Sequence, residues 1–238
     1  MKLCTRIALQ LAALCLLLAA TGFAADNNAY LYIVHGIPGR NIADNANPGL
    51  PIDVLVDGKT CLVRNLTFDN TSGPFTFAAG TYSVAISESN TLAPCSNAPI
   101  INSSVTLVAN TNMSAVVTVS GGEPALLSFT DNLYSVLPGN ARFVFTQVAD
   151  APALVATLTQ LNVKTPQTFT VSAAPGTEEW IGVPYGTYLV KVTVEGSTTV
   201  LSSETIAFPD QSVTLTYAVG ESANNSVGLV NRTARDVF

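Results

Sequence analysis

The sequence predicts an all-β protein made of two tandem antiparallel β-sandwiches behind a cleaved signal peptide. Three observations carry that prediction. Short runs alternate strictly between apolar and polar residues, which is the two-residue period of a half-buried strand. Gly, Pro, Asn and Asp clusters separate these runs about every 10 residues, and no helical period follows the leader. The same phrase, Gly-Thr-Tyr-x-Val, stands at Gly80–Val84 and again at Gly186–Val190, which marks an internal repeat.

The chain begins with Lys2 and Arg6 ahead of an apolar stretch from Ile7 to Ala20. That stretch is too short for a comfortable bilayer span and has the form of a signal peptide. Gly22 and Ala24 supply the small residues that a signal peptidase needs, which places cleavage after Ala24, with Ala25 as the alternative. Leu14 before Cys15 argues against a lipoprotein anchor. No later run reaches the length of a membrane helix, so residues 25–238 are expected to be exported, to the periplasm, the cell surface or the medium.

Within residues 25–138, the first expected sandwich, Ile52, Val54 and Val56 share one strand face and Asp57-Gly58 supplies a hairpin turn. Tyr82, Val84 and Ile86 form a second apolar face, and Met113, Ala115, Val117 and Val119 a third, opposite Ser114, Thr118 and Ser120. Within residues 139–238, the second expected sandwich, Tyr188, Val190, Val192 and Val194 alternate with Lys191 and Thr193. Val213, Leu215, Tyr217 and Val219 do so against Thr214 and Thr216. In each case the apolar face is expected to be buried and the polar face solvated.

Aligning the halves matches Tyr30–Val34 with Arg142–Thr146, Ser104–Leu107 with Ser212–Leu215, and Leu126–Thr130 with Leu229–Thr233. Tyr82 is thereby expected to superpose on Tyr188 and Val105 on Val213. Leu137-Pro138-Gly139-Asn140 is the expected joint, short enough that the two sandwiches should touch.

Val34-His35-Gly36-Ile37-Pro38, then Pro51–Gly58, then Ala79–Val84 resemble the motifs of the bacterial family called domain of unknown function 4397. There a Val-His-Ala-Ser-Pro opening leads into Val-Asp-Val-Tyr-Val-Asp-Gly and then Ala-Gly-Thr-Tyr. The second half keeps Asp150-Ala151-Pro152 and Gly186-Thr187-Tyr188, but has Gln147 near the family's His and lacks the Asp-Gly turn. The resemblance implies exported tandem Ig-like sandwiches, and its motifs are structural rather than catalytic.

Composition narrows the partners. Removing Lys2 and Arg6 from 10 basic residues leaves 8 against 16 acidic, a formal charge of −8. Scattered basic residues on an acidic chain argue against nucleic acid or an anionic membrane as partner. Cys4 and Cys15 leave with the leader, so Cys61 and Cys95 remain as an even pair in an oxidising compartment, and a disulfide between them is the expected state.

Candidate chemistry is sparse. His35 is the only histidine, which removes most schemes that shuttle a proton to Ser or Cys; it is expected to act as a hydrogen-bonded strand-end residue. Three mature Cys and His residues cannot make a four-ligand zinc site. Asp44, Asn45 and Asn47 in one loop and Asp69 with Asn70 in another offer oxygen ligands, but without a dense acidic repeat they are expected to be turn residues, and no metal or other cofactor is expected. Glu178 and Glu179 are strand neighbours and so point to opposite faces, unlike a glycosidase pair. The lone Trp180 is expected in the core, with sugar stacking as the alternative. Tyr82 and Tyr188 are expected to bury their rings while each hydroxyl reaches a backbone acceptor. Asn-x-Ser/Thr triplets begin at Asn65, Asn70, Asn102, Asn112, Asn224 and Asn231.

These readings point to a non-catalytic binding or structural module whose partner is a protein or glycan at the cell envelope. The alternative is a carbohydrate-binding module using exposed aromatics. One segment stands out as a candidate partner-binding loop, because the second half lacks its equivalent: Arg40, Asn41, Asp44, Asn45 and Asn47 lie in a polar, turn-rich insertion between Pro38 and Leu50.

Overall fold

The alternating runs pair into sixteen strands, and no helix occurs among the described residues. The structure is a computed structural model that describes residues 27–38 and 51–234. The first sandwich contains β1 (Asn28–His35), β2 (Ile52–Val56), β3 (Thr60–Leu66), β4 (Asn70–Ala78), β5 (Gly80–Glu88), β6 (Pro99–Leu107), β7 (Asn112–Ser120) and β8 (Glu123–Thr130). The second contains β9 (Asn140–Gln147), β10 (Leu154–Gln160), β11 (Thr168–Ala173), β12 (Glu178–Pro184), β13 (Gly186–Val194), β14 (Val200–Phe208), β15 (Val213–Val219) and β16 (Gly228–Ala234). The signal-peptide reading falls on residues outside the described set.

Each sandwich has two four-stranded sheets in the same arrangement. The orders are β4-β1-β7-β8 with β3-β2-β5-β6, and β12-β9-β15-β16 with β11-β10-β13-β14. The repeated Gly-Thr-Tyr marks the corner where the chain leaves one sheet for the other. At that corner Gly80 has φ 157° and Gly186 φ 150°, a conformation that an L side chain rarely adopts. Two residues on, Tyr82 Oη donates to the Ala78 carbonyl at 2.9 Å and Tyr188 Oη to the Pro184 carbonyl at 2.8 Å. Glycine permits the bend and tyrosine ties it back to the strand just ended. The Asp57-Gly58 turn also forms, with φ of 50° and 62° as a type I′ hairpin requires.

Two expectations are corrected. Tyr82 pairs with Val105 on β6, whereas Tyr188 pairs with Ile206 on β14, so Ile206 is the counterpart of Val105. Val213 belongs to β15, which pairs parallel with β9 as β7 pairs parallel with β1. The Ser-Val-Thr-Leu match misled because any half-buried strand is written with that alternation. The second correction concerns β7 and β15 themselves. They are buried on both faces, as strands in parallel pairs tend to be. Ser114, Thr118, Thr214 and Thr216 are all fully buried rather than solvated.

Three apolar cores explain this double burial. The first sandwich encloses Leu31, Ile33, Ile52, Ile86, Val105, Val117 and their neighbours. The second encloses Phe143, Phe145, Leu158, Tyr188, Val190 and Phe208. Its rings pack closely, with Tyr188 and Phe208 centroids 5.0 Å apart and Phe143 and Phe208 5.5 Å apart. The third core joins the two, gathering Val34 and Val116 from the first sandwich with Val144, Leu215, Tyr217, Val219 and Val230 from the second. The apolar face of β15 therefore points at the neighbouring sandwich, while Ala218 on its other face meets the second core. Burying each such aliphatic side chain contributes about 1.5–3 kcal/mol, so the four sheets behave as one stack.

At one end the stack is closed tightly. The Gly220 N–H donates to the Gly36 carbonyl at 3.1 Å, and Thr118 Oγ1 donates to the Val148 carbonyl. A Cβ on Gly36 would lie 2.7 Å from Val219 Cγ1, so this glycine is what lets the sandwiches meet here.

Candidate functional site

At the opposite end the facing sheets part, and a cleft of about 970 Å³ opens between them. Strand alternation places its walls. Leu31 and Ile33 point into the first core, so Tyr30 and Tyr32 on the same strand point out into the cleft. Pro74, Asn112 and Thr130 join them from the neighbouring strands. The second sandwich contributes Glu178 from β12 and Arg232 from β16, and the connection between the sandwiches supplies Asp131, Asn132, Leu133 and Tyr134.

A buried polar cluster forms the floor. Ser114 Oγ donates to Asp131 Oδ1 at 2.7 Å, Tyr217 Oη donates to Ser114 Oγ at 2.6 Å, and Arg232 forms an ion pair with Asp131. The Arg232 guanidinium also lies 3.7 Å from the centroid of the Tyr32 ring, a cation–π contact. Burial pushes the Asp131 carboxyl above the usual carboxylate range, against the opposing pull of Arg232. Burial disfavours charge on Arg232 as well, but Asp131 and Tyr217 shift its pKa upward, so the guanidinium stays charged. Burial, followed by Asp131, raises the Tyr217 hydroxyl, which remains a neutral donor.

Glu178 stands on the wall in a different state. Thr146 Oγ1 donates to its Oε2 at 3.4 Å, and burial, then the nearby Asp131 charge, pushes its pKa up to about 7. Near neutrality this carboxyl is part protonated and can donate as well as accept a hydrogen bond.

Exposed aromatics gather on the same side of the molecule. Tyr30, Tyr134, Trp180 and Tyr185 are the exposed rings among the described residues, and Trp180 is 54% exposed. The core placement expected for Trp180 is thereby corrected. The reason is that β12 is the edge strand of its sheet and Trp180 pairs with Val144, on the face turned away from the second core. The Arg142 guanidinium covers one indole face at 4.8 Å, and the same group donates to the Tyr134 carbonyl at 2.7 Å and to Asn132 Oδ1 at 3.2 Å. The Tyr185 N–H donates to the Gly139 carbonyl in the connection at 3.3 Å.

The remaining expected residues lie elsewhere. Cys61 and Cys95 form a disulfide with a Cα separation of 5.8 Å in the first sandwich. The half-cystine loop is organised by Asp53, which accepts from the Asn65 N–H at 2.9 Å, the Cys95 N–H at 2.8 Å and the Asn90 N–H at 3.1 Å. Burial alone would raise the Asp53 carboxyl, but these donors outweigh it and hold its pKa below the usual range. His35 is fully buried at its strand end, where its Nδ1 accepts from the Ile37 N–H at 3.3 Å. Gln147 takes the equivalent place in the second sandwich and donates to the carbonyls of Ala151 and Pro152. Asn70 acts as a turn residue, donating to Thr67 Oγ1 and the Phe68 carbonyl. Arg40, Asn41, Asp44, Asn45 and Asn47 lie outside the described residues.

The described residues thus form a stack of two β-sandwiches with a recess where they part. The chain belongs to the family described as domain of unknown function DUF4397, whose match covers residues 29–157, nearly all of the described first sandwich and the start of the second. No curated protein matches the chain. Among solved structures it is similar to a candidate cell-adhesion protein from Bacteroides uniformis, at 14% identity and a TM-score of 0.29, covering 88% of this chain and 98% of that one. A candidate cell-adhesion protein from Bacteroides ovatus aligns at 10% identity and a TM-score of 0.27, over 90% and 99% of the two chains. The TIE protein of Bacillus anthracis aligns at 11% identity and a TM-score of 0.25, and the match covers 82% of this chain but only 33% of that one.

Proposed function

We propose that this chain is an exported, non-catalytic module that binds a partner at the cell envelope or outside the cell, through the cleft between its two sandwiches. The observation that carries the reading is the composition of that cleft: both sandwiches and their connection contribute to it, and three tyrosines line it above a closed ion pair. Recesses at such junctions are where ligand sites tend to form.

Chemistry in the cleft is poorly supported by its carboxyl groups. Asp131 has no exposed side-chain surface, and Ser114, Tyr217 and Arg232 engage its oxygens. Glu178 is thus left without an accessible carboxylate partner across the cleft, which a glycoside hydrolase needs.

The reading is tested by labelling the exported chain and measuring its attachment to intact cells, mucin and extracellular-matrix proteins. Saturable attachment that disappears in Tyr30→Ala/Tyr134→Ala, with unchanged thermal stability, is the expected outcome. Attachment that survives the double substitution moves the recognition surface elsewhere.

A further inference from the structure

Resting on the cleft as the binding site, we propose that its ligand is an uncharged saccharide chain. Four features of the cleft and its surroundings converge on that chemistry. The first is the placement of the rings. Exposed aromatics on a soluble β protein are ordinarily scattered singly, but here Tyr30 and Tyr134 line the cleft, Trp180 shares a strand with the cleft residue Glu178, and Tyr185 is tied to the connection at Gly139. Tyrosine rings lining a recess suit the apolar C–H faces of pyranose rings. Each aromatic also pairs a large apolar body with a polar tip.

The second feature is charge. Asp131 and Arg232 neutralise each other in an ion pair, and Glu178 is the only other carboxyl on the wall. The polar lining is otherwise neutral, from Asn110, Asn112, Asn132, Thr111 and Thr130. Amides and hydroxyls both donate and accept, which suits a ligand bearing many hydroxyls. The third is the whole-chain balance, with a net charge of −6, which repels anionic polysaccharides and nucleic acids.

The fourth feature argues against the main rival, an extended peptide added to a sheet edge. Strand addition needs free backbone donors along the edge. Of the four edge strands beside the cleft, β4, β8 and β12 carry Pro74, Pro124 and Pro184, and only β16 has none. Proline has no N–H to offer, and this is how natural sheets blunt their edges.

The lone tryptophan makes the inference directly measurable, because its fluorescence reports from the strand that walls the cleft. The exported chain is titrated with cellohexaose, xylohexaose, mannohexaose and chitohexaose, and screened on an array of neutral glycans, with heparin and polygalacturonate as anionic probes. The expected result is saturable binding of at least one neutral glycan, weakened about tenfold or more by Tyr134→Ala and by Tyr30→Ala, with no binding of the anionic probes. Both substituted side chains are exposed or at the margin of exposure, and a thermal melt identical to that of the unmodified chain shows that each variant is folded. If no neutral glycan binds while a protein partner is captured and released by the same double substitution, the saccharide assignment is overturned and the cleft stands. If a glycan binds equally to the unmodified chain and to Tyr30→Ala/Tyr134→Ala, the cleft itself is the wrong site. Preferential binding of heparin or polygalacturonate overturns the neutral assignment.

Discussion

Tyr217 donates its phenolic proton to Ser114 across the junction of the sandwiches at 2.6 Å, although the two residues are 103 positions apart in the chain. Both touch Asp131, whose partner Arg232 belongs to the second sandwich. One buried cluster thus draws on β7, the connection, β15 and β16, and it sits beneath the cleft.

Removing members of this cluster should cost stability in a defined order. Arg232→Met leaves the Asp131 carboxyl buried without its counter-ion and should cost about 3–5 kcal/mol. Tyr217→Phe removes one hydrogen bond and keeps the ring in the third core, so about 1–2 kcal/mol is expected. Chemical denaturation of the three proteins checks the ranking, and equal losses would mean that the ion pair is not closed in solution.

Gly36 tests whether the sandwiches are held in one fixed arrangement. A Cβ there meets Val219 at 2.7 Å and the Val117 carbonyl at 3.0 Å. Gly36→Val should therefore wedge the closed end apart at a cost of about 1–3 kcal/mol. Hydrogen exchange should show faster exchange at the Gly220 amide, which donates to Gly36 across the junction, with the two separate cores unaffected.

The Cys61–Cys95 disulfide closes a loop with a sequence separation of 34. In the chain-entropy account its loss costs roughly 3–4 kcal/mol. Denaturation of Cys61→Ala/Cys95→Ala measures this, and intact mass before and after reduction should differ by two hydrogen atoms. No mass change on reduction would contradict the bridge.

Acidity should act on the cleft wall. The Glu178 carboxyl lies at about 7, above its ordinary value of 4.5, and Asp69 lies at about 6, above 3.8, through burial and then the neighbouring Glu204. An acid whose pKa is higher in the folded state binds its proton more tightly there. It therefore favours folding fully below its ordinary value, and that contribution is lost as pH rises through the folded value. Stability should accordingly decline between about pH 4 and pH 7, and Glu178→Gln should flatten the upper part of that decline. Asp53 has the opposite sign: its lowered pKa supports folding above 3.8 and fades on further acidification. A melting temperature that climbs steadily from pH 4 to pH 7 in both proteins would contradict the placement of Glu178.

Much of the fold was legible because it is encoded locally. A two-residue period reports one buried face whatever the rest of the chain does, so Ile52, Val54, Ile86 and Val190 were identified correctly as core residues. Asp57-Gly58 and the two Gly-Thr-Tyr corners were legible for the same reason, since each depends on a backbone conformation that few residue types can adopt. Lone, chemically distinctive residues such as Cys61 and Cys95 pair by elimination.

What the tertiary structure alone decided is which way the apolar faces turn once two sandwiches meet. The alternation along β15 shows that Val213, Leu215, Tyr217 and Val219 share a face, but the pattern is identical whether that face meets its own sheet partner or a neighbouring sandwich. Ser114 and Thr118 look like water-facing residues because their burial depends on the second sandwich, where their partners Tyr217 and Val148 lie 103 and 30 positions away. Trp180 looks like a core residue because hydrophobicity is local, whereas exposure follows from its seat on an edge strand. The cleft, its ion pair and its gathered aromatics belong to that same long-range order. They exist only because Gly36 admits close approach at one end of the stack while the sheets part at the other.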